Sequence, residues 1–173
     1  MKALWTFALV ALAGTPCLAQ EPVDAGAFCR KAGKNQGIYE LLLEAAMAQG
    51  GADAGAVTCT WTFGRLGVSD ALVTLDSKLL KSATIARQAI LLARLPENRL
   101  GKIVEPLPKM GDDGLSRATM DQGALTLFEV EAVNGRRYFL LTVRMRDGSA
   151  INYRVAGASI DFLGAGIAEL ERP

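Results

Sequence analysis

Glu129 and Glu131 stand two residues apart in a stretch that alternates polar and apolar side chains, so both carboxylates leave the chain on the same side. Two carboxyl groups flanking a bond can run glycoside hydrolysis, one as acid and the other as base or nucleophile. Nothing else in the chain marks a sugar cleft, and two acids on a solvated strand face are the plainer expectation. Asp112, Asp113 and Asp121 offer oxygen atoms of the kind Ca²⁺ prefers, but their spacing departs from the twelve-residue calcium loop. They read as turn residues, and no metal site is assigned. Arg144 and Arg154, with Tyr138, Thr142 and Asn152, make the strongest candidate for binding. Arginine presents a planar fork of donors that matches carboxylates and other anions.

Histidine is absent, which removes the side chain best suited to proton transfer near neutrality and a common ligand for transition metals. Serine nucleophiles therefore lack a histidine base, and Lys78 and Lys81 do not complete a Ser-x-x-Lys pattern. The glycines at 157, 164 and 166 do not form a dinucleotide fingerprint. No enzyme constellation is assembled, and no cofactor is implied.

The chain has 173 residues, 50% hydrophobic and 21% charged, a composition that folds. Met1 and Lys2 precede an apolar run from Ala3 to Gly14, too short to span a bilayer. With Cys17, Leu18 and Ala19 before Gln20, residues 1–19 read as a signal peptide cleaved after Ala19. Acylation of Cys17 is the rival, which Pro16 disfavours. The expected product is one periplasmic or secreted domain of residues 20–173, with no transmembrane segment after cleavage. Removal of Lys2 leaves 18 basic side chains against 18 acidic ones, so there is no field to gather nucleic acid. Two cysteines remain, Cys29 and Cys59, and in an oxidising compartment they are expected to pair.

The candidate residues need elements to hold them. Asp24 caps a short helix carrying Phe28 and Cys29, which Gly33 would end in the left-handed conformation. After a cap at Asn35, the spacing of Ile38, Leu41, Leu42 and Ala45 predicts a helix to Gly50. Val57, Cys59, Trp61 and Phe63 alternate with threonines, so Cys59 should point inward from a strand. A hairpin across Gly64 and Gly67 returns through Ala71, Val73 and Leu75. Ser82 caps a helix over 83–95 with Ile85, Ala89 and Leu92 on its core side. Residues 97–123 read as mostly loop, with an extended piece at 102–105.

Asn134 and Gly135 then suit a two-residue type I′ turn, which would pair Val130 with Phe139 and Phe128 with Leu141. A three-residue turn through Ser149 would add a strand at Ile151 and Tyr153, placing Asn152 and Arg154 beside Tyr138, Thr142 and Arg144. Ile160, Leu163, Ile167 and Leu170 complete a last helix after a cap at Ser159. The fold class is α+β: an antiparallel sheet of about five strands with helices packed on one face.

Cys59 two residues before Trp61 in an early strand, then a helix, the stretch Gly111-Asp112-Asp113-Gly114-Leu115, two strands and a closing helix form a recognisable order. It resembles exported bacterial lipoproteins of unknown function and the disulfide-bearing α+β sensor domains of extracytoplasmic kinases. The resemblance covers residues 25–171. It implies a ligand-sensing or accessory module and carries over no catalytic residue. The sequence therefore points to an exported, non-enzymatic binding or accessory domain of the bacterial envelope, with an envelope protein or an anionic small molecule as partner. The alternative is a periplasmic inhibitor or immunity-type protein that blocks a toxin or hydrolase through residues 106–123.

Overall fold

The computed structural model describes residues 24–33, 42–50, 55–65, 68–95 and 102–171. The signal peptide expected at 1–19 and the cap expected at Asn35 lie outside them. The fold is α+β, with a multi-stranded antiparallel sheet and helices packed against it. Seven strands form the sheet: β1 (Leu42–Gly50), β2 (Val57–Arg65), β3 (Val68–Leu79), β4 (Lys102–Pro106), β5 (Asp113–Asp121), β6 (Ala124–Asn134) and β7 (Arg137–Met145). Their spatial order is β1-β2-β3-β7-β6-β5-β4, so two antiparallel meanders meet where β3 pairs with β7. The helices are α1 (Ala25–Ala32), α2 (Ala83–Ala93) and α3 (Tyr153–Glu171).

The period-two pattern places Cys59, Trp61, Val73, Leu75, Phe128, Val130, Phe139, Leu141 and Val143 on one buried face, here the core face. α1 and α3 cover it. Asp24 caps α1 by accepting from the Ala27 amide at 3.0 Å. Cys29 on α1 bonds to Cys59 on β2, with Cα atoms 5.5 Å apart. Gly33 closes α1 with φ of −90°, so the expected left-handed turn is not used. α3 crosses α1 so closely that a Cβ on Gly166 would lie 2.9 Å from the Ala32 carbonyl oxygen. Phe162 of α3 stands edge-on to Trp61, with ring centroids 5.1 Å apart.

α2 lies on the opposite face, so helices cover both sides of the sheet. Ser82 caps it by accepting from the Ile85 amide at 3.2 Å. Ala86 and Ile90 meet Leu115 and Val133, while Ile85 and Leu92 turn outward. The core side is thus set one residue away from the expected stripe. Two stripes of comparable apolarity compete on this helix, and packing selects the Ala86–Ile90 one.

Other elements differ for physical reasons. Residues 42–50 form β1 where a helix is expected. Their Leu, Glu, Ala, Met and Gln favour helix intrinsically, but pairing along β2 overrides that weak preference. Within 97–123, residues 113–121 form β5, an internal strand with neighbours on both sides. The β6–β7 turn is Gly135-Arg136, with Asn134 paired to Arg137. Gly135 alone has positive φ, 55°, as a type II′ turn requires at its first position. Pairing therefore slides by two residues, to Val130 with Leu141 and Phe128 with Val143, and each side chain keeps its expected face.

There is no strand at 151–153. Asn152 accepts from the Arg154 amide at 2.8 Å, and α3 starts at Tyr153, six residues before the expected cap. Ser159 lies inside α3, donating to the Val155 carbonyl at 2.7 Å. Among the described residues, no helix is long and apolar enough to cross a membrane.

Candidate functional site

On the face opposite the core, each ladder lines up side chains across the sheet. One row runs Thr60, Thr74, Thr142, Glu129, Arg117 and Val104 from β2 to β4. The next runs Thr58, Asp76, Leu140, Glu131, Leu115 and Pro106. The two carboxylates therefore project together, and β5 sets Arg117 directly beside them.

Arg117 links the pair. Its Nε lies 3.3 Å from Glu129 Oε2, and its Nη2 forms an ion pair with Glu131 Oε1. Lys102 Nζ approaches Glu129 Oε2 at 3.5 Å from the edge strand. The Tyr138 hydroxyl donates to Glu131 Oε2 at 2.6 Å. Glu131 is 2% exposed, and both of its oxygens have partners. A buried charge is tolerated only when paired and hydrogen-bonded in this way. Burial pushes the Tyr138 phenol far above its ordinary range, reinforced by its hydrogen bond to Glu131 and the charges of Glu131 and Glu129, with Arg117 opposing. The phenol is a fixed donor. Glu131 is held from both sides, by Arg117 and by Tyr138.

α2 closes one end of this network. Arg94 Nη2 donates to Asp113 Oδ1 at 2.5 Å and to the Gly114 carbonyl at 2.9 Å. Arg87 stands 3.6 Å from Asp112, which also accepts from the Gly135 amide at 2.9 Å. Asp112 and Asp113 thus hold α2 and the β6–β7 turn in place. Asp121 lies at the far end of β5, about 26 Å away at the rise of an extended strand. The three aspartates cannot share a calcium ion.

The other half of this face, over β2 and β3, has no helix packed on it among the described residues, and α2 reaches β7 at Tyr138. Thr58, Thr60, Thr62, Thr74 and Thr142 are half-buried, and Thr58 Oγ1 donates to Asp76 at 2.6 Å. Arg144 is exposed beside Leu72, next to the threonine row. Of the expected binding residues, Tyr138, Thr142 and Arg144 share this face. Tyr138 is committed to Glu131. Asn152 and Arg154 do not join them, because both belong to the start of α3 on the core side.

Arg117 and Lys102 are the members that sequence reasoning missed, since both fall in the segment read mainly as loop. A signal was present. Leu115, Arg117 and Thr119 alternate with Ser116, Ala118 and Met120, and Gln122-Gly123 follows as a two-residue turn with φ of 47° and 81°. Half of residues 106–123 form β5. The chain matches no family model, no curated protein and no solved structure.

Proposed function

We propose that the chain is an exported, non-enzymatic binding or accessory domain of the bacterial envelope. It uses the open half of the charged face to hold an anionic small molecule or the carboxylates of a protein partner. The observation that carries this reading is the row of half-buried Thr60, Thr74 and Thr142, flanked by exposed Arg144, beside acids already neutralised by Arg117 and Lys102. Hydroxyls can donate or accept, and the arginine fork selects an anion. The Cys29–Cys59 disulfide supports export, because such bonds persist where thiols oxidise.

Affinity capture from the host's envelope extract tests the reading. The wild type should retain a partner or small anion, Arg144→Glu should lose it, and Arg154→Glu should keep it. Equal retention by the Arg144 and Arg154 variants would remove the open face as the site. Hydrolysis of any envelope glycan that disappears in Glu129→Gln would overturn the non-enzymatic assignment.

A further inference from the structure

α2 satisfies the sheet with Ala86 and Ile90, yet it carries a second apolar stripe pointing away from the protein. Ile85, Leu91, Leu92 and Leu95 are 43%, 55%, 58% and 38% exposed. Their spacing of three, four and seven residues puts them on one outward face. Isolated exposed leucines need no explanation, but three on a single helix face, continued by Leu95 in the turn just past the helix end, form a contiguous patch. The charges on this stretch of chain have one sign. From Lys78 to Leu95 the chain holds Lys78, Lys81, Arg87 and Arg94 and no aspartate or glutamate. Arg94 turns inward to Asp113 and Arg87 reaches Asp112 at 3.6 Å, while Lys78 and Lys81, on the lead-in to α2, are exposed.

We propose that this face of α2 seats the domain on a bilayer surface rich in anionic phospholipid. A second copy would bring two basic helices together with no acid on either to answer them. An acidic protein partner is disfavoured because no tryptophan or tyrosine lies on the face to anchor it. Aliphatic side chains with a basic rim are what an interfacial helix needs: the stripe enters the headgroup boundary and the cations meet lipid phosphates. The inference is independent of the open sheet face, and its test uses lipid alone.

Protein purified from its own host is sedimented with vesicles of equimolar phosphatidylethanolamine and phosphatidylglycerol, or of phosphatidylcholine. It should pellet with the anionic vesicles, less so as salt is added, and stay in solution with phosphatidylcholine. Leu91→Gln with Leu92→Gln should weaken partitioning by at least about tenfold. Lys81→Glu should weaken it by more than about fivefold. Both variants should keep the wild-type melting temperature, since these side chains face outward. Three results would overturn the proposal: wild type remaining in solution with anionic vesicles, equal pelleting by the leucine variant, or a concentration-dependent dimer that the leucine variant abolishes.

Discussion

The two faces of the sheet are built from different chemistry. The core face is mainly apolar, with Ser77, Ser116 and Arg137 among its polar members, and it is closed by α1 and α3 and tied by Cys29–Cys59. The opposite face is ionic over β4 to β7, covered in part by α2, and without a helix over β2 and β3 among the described residues. The first arrangement holds the fold through burial and covalent constraint. The second holds charges that are stable only while each has its partner, and leaves polar surface next to them for a ligand. Substitutions should therefore behave differently on the two faces.

The largest effect is expected on the ionic face. Arg117→Met leaves Glu131 buried without a counter-charge and should cost about 3–5 kcal/mol in chemical denaturation. Arg117→Met with Glu131→Leu should recover most of the loss, because a well-packed apolar pair replaces a buried ion pair at little cost. A double variant no better than the single one would mean that the network does more than neutralise Glu131. On the core face, Cys29→Ser with Cys59→Ser should cost about 3.5 kcal/mol, from the freedom restored to a loop of about thirty residues in the unfolded chain.

Gly166→Ala tests the α1–α3 crossing, where the new methyl meets backbone that cannot easily yield. About 2 kcal/mol should be lost, and a neutral result would mean that the helices can separate. Tyr138→Phe removes a hydrogen bond to a charged group and should cost about 1.5 kcal/mol. It also has a pH signature. The folded phenol titrates above its ordinary value of 10.0, so its contribution is complete below that pH and is lost as pH rises towards the folded value. Between wild type and Tyr138→Phe, the stability gap should hold constant up to about pH 10 and narrow above it.

The core face was largely legible in the sequence, because strict alternation in β2, β3, β6 and β7 has one buried solution. Cys59 could be placed inward on that ground, while its pairing with Cys29 was read from the expected oxidising compartment. The β6–β7 turn was displaced by one residue at each strand end, yet the two-residue slip in pairing preserved every face. Parity is what burial specifies most strongly. β1 was hidden because its residues are intrinsic helix formers whose strand state comes from a neighbour far along the chain. β5 was hidden by the prolines and glycines before it and by Gln122-Gly123, a less familiar turn pair than Asn-Gly. Losing β5 hid Arg117 and Lys102, so the acids at 129 and 131 could be placed on one face but not neutralised. The expected strand at 151–153 failed because the Asn152 side chain caps a helix, a local bond that competes with sheet pairing.

The central claim is the proposed export of a domain whose core face is locked by Cys29–Cys59, and mass spectrometry of protein isolated from its own host tests it most directly. The account predicts a chain beginning at Gln20 that takes up no iodoacetamide until reduced, and then takes up two equivalents. A chain still beginning at Met1, whose cysteines are alkylated before any reductant is added, would contradict it.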